Sequence, residues 1–402
     1  MKHSINQLLS YSVILNCLIL CGCITEYKAK GIKEVTDILV VQGIITDDES
    51  FISITQSVNL NEKEYSEPLN IENAIVYVEC DDETKTEAGV YEPSDSPTWA
   101  TRVGRYRIKT GQLNLARKYR LKIEFNNHEY VSDFSYPIET PEIDSLFWIK
   151  TGAGLPVMIH VSTHSPNNDV LYYQWSFKED WEYHAIFKVR RCPIHNINVV
   201  IENDWESYFC PVCEGELEEP YPYICWNSVN NNEMLLGSSE RTVFGQLIEK
   251  ILDINPTDIR LSVLYRITVN QNAISKRAHD YFVNIKKNSE NIGSIFAPTP
   301  SELRGNIVCT TDPRRPVIGY IDISTTTQKN IYISESDVFE GFFCCPGVQE
   351  NAPLEWFILI YSGGWRDISC IDCTWHDKST QKPDDWPEID NFVVGKYGFC
   401  RY

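Results

Sequence analysis

Positive charge is scarce in this chain. Its 402 residues carry 36 lysines and arginines against 56 acidic side chains, a formal net charge of −20. That balance excludes nucleic acid as a partner, and with it any general attraction to anionic lipid heads. Long apolar runs are missing after the first two dozen residues, so no later segment supplies the roughly 20 apolar residues a membrane-spanning helix needs. Catalytic signatures are absent too: there is no H-E-x-x-H, no G-x-S-x-G and no phosphate-cradling glycine loop. His160 and His164 are four apart, but in an extended segment that spacing does not align side chains as it does on a helix. The acidic pairs Asp47-Asp48, Asp81-Asp82 and Asp384-Asp385 read first as solvated turn residues, with calcium as the alternative. No two carboxylates single themselves out for glycoside cleavage.

What is present begins with the N-terminus. Lys2 precedes the apolar run Leu8–Leu20, and Leu20-Cys21-Gly22-Cys23 closes it. A basic start, a short hydrophobic stretch and a small residue before the cut describe a secretory signal. Leucine three before and glycine one before Cys23 resemble the lipobox of bacterial lipoproteins. That resemblance implies cleavage before Cys23 and acylation of its thiol and amine. Cys21 fits less well because the bulky Leu20 precedes it. Acyl chains at about 0.8 kcal/mol per buried methylene anchor a protein firmly, so the expected mature chain is tethered to a membrane outside the cytoplasm.

The expected organisation is mainly β. Residues 1–22 read as the signal and 23–34 as a lipidated tether. Short β-rich runs follow at Ile38–Ile45, Phe51–Gln56, Ala74–Val78, Arg105–Lys109, Tyr119–Phe125 and Tyr130–Phe134, separated by turn clusters. Six strands at this spacing predict an N-terminal β-sandwich over 35–136, loosely similar to transthyretin-like or immunoglobulin-like sandwiches. Pro137 and Pro141 mark a linker. A larger β-rich region over 142–340 opens with Val157–Ser162 and Leu171–Lys178. In its clearest strand, Leu261, Val263, Tyr265, Ile267 and Val269 alternate with Ser262, Arg266 and Thr268, the pattern of a sheet with one wet face. Ala278, Tyr281, Phe282 and Ile285 form one helical stripe, predicting an amphipathic helix near 275–290 with Ser275 as its cap. Val243–Leu252 fits helix or edge strand. Residues 341–402, rich in cysteine and tryptophan, form a C-terminal region expected to pack on the second domain.

Fourteen cysteines are present. Cys17 and Cys21 leave with the signal and Cys23 takes lipid, so the remaining number is odd and at least one thiol stays unpaired within the chain. In an exported protein, Cys192, Cys210, Cys213, Cys225, Cys344, Cys345, Cys370 and Cys373 read first as disulfide candidates. Cys192-x2-His195 with Cys210-x2-Cys213 also has the spacing of a closed structural zinc site, the alternative to an expectation of no cofactor. Either way the cluster would pin a loop. Trp356, Trp365, Trp375 and Trp386 are candidate binding aromatics if exposed, and core if buried.

The chain resembles the DUF4249 lipoproteins of Bacteroidota. The resemblance rests on Leu39-Val40-Val41-Gln42-Gly43-Ile44-Ile45-Thr46, on Tyr173-Gln174-Trp175-Ser176-Phe177, and on Cys225-Trp226. It continues through Tyr265–Ser275, Asn291-Ile292-Gly293-Ser294-Ile295-Phe296, Pro300-Ser301-Glu302-Leu303-Arg304-Gly305-Asn306-Ile307 and Val317-Ile318-Gly319-Tyr320. It ends on Cys370-Ile371-Asp372-Cys373 and Lys382-Pro383-Asp384-Asp385-Trp386. Two features depart from the family pattern. Paired glycines are missing between Cys373 and Lys382, and Asp385 stands where an aromatic is usual. The family implies an outer-membrane lipoprotein, often associated with TonB-dependent transporters. The expected role is that of a surface-exposed, non-enzymatic accessory or cargo-binding partner of such a transporter barrel. The competing expectations are a surface hydrolase with unrecognised carboxylates and a structural or adhesive envelope protein.

Overall fold

Alternation along the first strands decides the first core. In Leu39–Ile45, the side chains of Leu39, Val41 and Ile45 point inward, as do Ile52 and Ile54 of Asp48–Gln56. They face Val76, Val78, Leu121, Ile123, Tyr130 and Ile307 of a second sheet, and together these side chains make one core. The computed structural model describes residues 38–57, 69–90, 105–167, 169–185, 189–192, 197–200, 209–210, 215–216, 222–231, 233–242, 245–290, 305–340, 373 and 381–387. All of them lie in one unit, Ile38–Tyr402.

The protein is mainly β, as its alternating runs predict. The first sandwich holds a six-stranded sheet, with Leu39–Ile45 and Asp48–Gln56 at its centre, and a five-stranded sheet built on Ile75–Cys80, Tyr119–Phe125 and His128–Ser132. Asn126 and Asn127 both take positive φ, 48° and 60°, between the last two strands. Short polar side chains tolerate that backbone, and two such residues make the tight turn whose twist suits a hairpin.

Two strands of this sandwich come from far along the chain. Val317–Ile323 pairs in parallel with Leu39–Ile45, and Ile307–Cys309 pairs with His128–Ser132. The sequence reading groups both with the second region, by position. Period-two alternation identifies a strand but not its mate, so pairing across almost 280 residues leaves no local trace. Asn306 ties the two late strands together: its amide donates to the Ile321 carbonyl at 2.7 Å and its oxygen accepts the Ile321 N–H at 2.8 Å. Gly305 approaches Gly319 so closely that a Cβ would sit 1.5 Å from the Gly319 carbonyl oxygen. Gly305→Ala is therefore expected to cost roughly 1–3 kcal/mol, the range for overpacking that forces the backbone to shift; a shift below 0.5 kcal/mol in chemical denaturation would contradict the close approach.

The second region stacks a three-stranded sheet (Ile143–Ile149, Val157–Thr163, Leu247–Ile254) on a five-stranded one. Of the ambiguous 243–252 segment, the part from Leu247 on is strand: Leu247–Ile254 pairs with Val157–Thr163. The central strand of the larger sheet, Tyr172–His184, pairs with Leu264–Ala273, Ile224–Asn230 and Leu235–Ser238, and Thr326–Ser334 forms the far edge. Odd positions of Tyr172–His184 turn Tyr173, Trp175, Phe177, Trp181 and Tyr183 into the core, with Tyr173 and Trp175 stacked at 5.8 Å. The buried Trp175 indole donates to Gln271 Oε1 at 2.9 Å, and the Gln271 amide reaches back to Pro141 O and Thr163 Oγ1. Those bonds fasten the end of the proline linker to the second core.

The helix runs Lys276–Glu290, and Ser275 Oγ caps it by accepting the Ala278 N–H at 3.1 Å. Its stripe, Ala278, Tyr281 and Phe282, packs with Tyr172, Ile274 and Tyr320. Asp322, from the first sandwich, accepts the Ser275 N–H at 2.6 Å from a buried position. Burial pushes its carboxyl up, against the pull of the Ser275 hydrogen bonds and the Arg277 charge. A folded value above the unfolded one, about 3.9, makes its contribution fully present below that value and lost as pH rises through the folded value. Asp322→Asn, which keeps the acceptor, is expected to stabilise the protein at pH 7. Thermal melts should show that gain shrinking toward pH 4; a pH-independent effect would contradict the assignment.

Candidate functional site

The even positions of Tyr172–His184 place Lys178, Asp180, Glu182 and His184 on the face opposite the aromatic core. Register carries the Asp180 row across four strands: Ser228 pairs with Asp180, Asp180 with Arg266, and Arg266 with Tyr332. Side chains follow the same row. Arg266 Nε and Nη2 donate to Asp180 Oδ2 at 3.1 and 2.8 Å, Ser228 Oγ donates to Asp180 Oδ1 at 2.7 Å, and Lys178 lies 2.9 Å from the same oxygen. Sequence alternation predicts a wet face at Arg266. Instead its side chain is 6% exposed and that of Asp180 1%, because a distant segment covers them.

That segment is 381–387. Its Pro383–Trp386 turn closes by a Trp386 N–H to Pro383 O bond of 3.0 Å. Asp385 Oδ2 accepts from Arg266 Nη1 at 2.7 Å while the rest of its side chain stays exposed. The Trp386 indole N–H donates to Glu182 Oε2 at 2.8 Å. Its ring packs against the Arg266 guanidinium at 5.3 Å and edge-on against Tyr332 at 6.0 Å. Lys382 lies over the Trp226 ring at 5.9 Å. Glu182 Oε1 in turn meets His184 Nε2 at 2.6 Å. Trp386 is buried, so of the four candidate tryptophans it belongs to the packed interior; burial of so large a side chain contributes roughly 1.5–3 kcal/mol. Trp356, Trp365 and Trp375 lie outside the described residues.

The electrostatics favour fixed charges. Burial pushes Asp180 up, but hydrogen bonds from Ser228, Arg266 and Lys178 outweigh it and hold the carboxyl below its usual range. The Arg266 hydrogen bond holds Asp385 low as well. Arg266 loses hydration on burial, yet its two carboxylates and Tyr332 drive its value still higher. Proton transfer needs a group poised near the working pH and open to a reactant. This row has ionised partners locked to each other, so its chemistry is recognition: a guanidinium fork for a carboxylate, a flat slot for an indole and an acceptor for the indole N–H. A second ion pair sits on the core face, where Arg260 joins Glu179 at 2.5 Å and Asp258 at 2.8 Å, and Tyr265 donates to Glu179 at 2.8 Å.

Of the candidate cysteines, Cys225 and Cys373 form a disulfide across a sequence separation of 148. Cys192 and Cys210 close the short strands Val189–Cys192 and Phe209–Cys210, with side chains outside the described residues. Cys23, His195, Cys213, Cys344, Cys345 and Cys370 lie outside them altogether, and with them the lipidation and zinc expectations. Among the described residues no group of His, Cys, Asp and Glu could hold a metal ion, and Cys80 and Cys309 are buried free thiols. Asp47 accepts the Thr326 N–H, Asp82 takes Thr84, and Asp385 takes Arg266, so these acidic-pair members serve turns and contacts. Among the described residues no helix is long and apolar enough to cross a membrane.

Sequence reasoning missed Asp180, Glu182 and His184, and read Arg266 only as solvated. The available signal was the run Lys178, Asp180, Glu182, His184 at alternate positions opposite five aromatics. Polar alternation of that length normally meets water, and nothing local says that residue 386 covers it.

No curated protein matches this chain. One solved structure, of the manganese lipoxygenase of Gaeumannomyces graminis with part of the zonadhesin of Komagataella pastoris, aligns at 10% identity. The alignment covers 61% of this chain and 91% of that one with a TM-score of 0.17, too low to transfer fold or function. The family described as Domain of unknown function (DUF4249) matches residues 24–330. That span takes in the first sandwich and most of the second region, and stops short of the Lys382–Trp386 turn. The chain belongs to the DUF4249 family.

Proposed function

We propose that this protein is an outer-membrane lipoprotein, anchored through Cys23, that serves as a non-enzymatic accessory of a TonB-dependent transporter. The observation that carries the reading is the closure of the Asp180–Arg266 row: both side chains are buried, and the chain's own Trp386 packs on Arg266 where a substrate would otherwise reach it. The tied linker and the late strands shared with the first sandwich support a body that presents fixed surfaces. One such surface carries Phe134 and Tyr136, 39% and 54% exposed, beneath Arg120 at 4.3 Å and Lys118 at 5.1 Å. Arginine and aromatic side chains of this kind are enriched where proteins meet. Tethering on a shared membrane raises the effective concentration of partner and accessory, so modest contacts suffice.

The test is purification of the full-length protein from native outer membranes in mild detergent, with and without crosslinking. A stoichiometric TonB-dependent barrel is the expected companion, and Phe134→Ser with Tyr136→Ser should weaken its recovery. A monomer with no barrel after crosslinking would end the accessory reading.

A further inference from the structure

The covered face beneath residues 381–387 has the construction of a peptide-binding site. Among the described residues, no strand of the sheet forms a backbone ladder with this segment; it is held by side chains and by its own turn. Three features select it. The Arg266 fork, already fixed by Asp180, offers Nη1 to the carboxylate of Asp385. Arg266 and Tyr332 wall the slot that takes the indole, and Glu182, fixed by His184, accepts its N–H. The receiving groups belong to paired strands and are bonded to one another independently of the segment. Bonds that do not depend on the occupant preorganise the slot, and preorganisation lowers the cost of binding.

We propose that this slot is a preformed receptor for an acidic residue followed by tryptophan on a tight turn, filled in cis by Asp385–Trp386 and able to accept the same chemistry from a partner segment in trans. The carboxylate is required for the fork and the indole for the slot. A tryptophan without the acid loses the charge-assisted bond; an acid without tryptophan loses the buried anchor that dominates such interfaces. The cis segment holds the site by proximity, since Trp386 follows the disulfide-bonded Cys373 by thirteen positions. A ligand in trans must outcompete that effective concentration.

The probe is a fluorescent synthetic peptide with the sequence of residues 381–388, titrated into the full chain and followed by anisotropy. Trp386→Ala empties the slot. The peptide is expected to bind this variant at least about tenfold more tightly than wild type, whose own turn competes. The same peptide carrying Asp385→Asn or Trp386→Ala should lose most of that affinity. Equal binding to wild type and variant would place the peptide elsewhere and overturn the proposal, as would no binding to a variant that keeps its circular dichroism spectrum. Should Trp386→Ala fail to fold, Asp385→Asn in the full chain replaces it. That substitution alters an exposed carboxylate and weakens only the cis occupant, so the peptide must again bind more tightly than to wild type. Indifference there overturns the proposal equally.

Discussion

Arg266→Met is expected to lower the stability of the protein by about 3–5 kcal/mol, the cost of stranding the partner of a buried ion pair. Asp180 is 1% exposed, and Arg266 donates to its Oδ2 through both Nε and Nη2. Removing the guanidinium leaves a buried carboxylate with only Ser228 and Lys178, and takes the supporting surface from Trp386. Replacing both partners by apolar residues removes the stranded charge, so Asp180→Leu with Arg266→Met should cost clearly less than Arg266→Met alone. Urea denaturation of the wild type, both single variants and the pair gives the coupling directly. A single-variant cost below 1 kcal/mol, or additive costs, would contradict the buried pair. The pH dependence has a fixed sign. Asp180 and Asp385 are held below their usual range, so their contribution is present above the unfolded value near 4 and lost as pH falls through the folded ones. Wild type should therefore lose stability on acidification below about pH 4, and Arg266→Met should lose less over the same interval.

Cys225→Ala with Cys373→Ala is the second large effect. A crosslink spanning 148 residues removes chain entropy from the unfolded state equivalent to about 5 kcal/mol, an upper value for native disulfides. Cys225 lies on a strand paired with Tyr172–His184, two residues from Asn227 and next to the Trp226 that meets Lys382. Cys373 adds one backbone bond, from its N–H to Pro222 O at 3.1 Å. The bridge thus fastens the approach to the Trp386 turn beside the sheet edge. A loss of about 2–5 kcal/mol is expected in the variant. Wild type in reductant should approach the same midpoint, provided the buried bridge is opened during unfolding. A variant as stable as wild type would mean that the unfolded chain is already restrained between these positions.

Much of the β architecture was legible because strand signals are local. Leu39–Ile45, Tyr119–Phe125 and Leu264–Ala273 show their period directly, and the helix shows its stripe and its Ser275 cap, since each side chain's direction follows from its position in the element. Trp386 and the disulfide show the opposite limit. Composition marked the tryptophans and cysteines, but eight candidate cysteines allow many pairings, and only juxtaposition of Ile224–Asn230 with residue 373 selected Cys225–Cys373. Likewise Arg266 was legible as a polar residue on a strand and illegible as a buried one.

The sequence by itself determined the mainly β fold class, the net negative charge and the family resemblance that the DUF4249 match bears out. All of these are properties of composition, of short-range periodicity or of ordered motifs. Tertiary structure alone decided that Ile307–Cys309 and Val317–Ile323 complete the first sandwich and that Asp385 and Trp386 close over Asp180 and Arg266. Those choices are made between segments far apart in the chain, where burial and charge pairing select among partners that local pattern leaves equivalent.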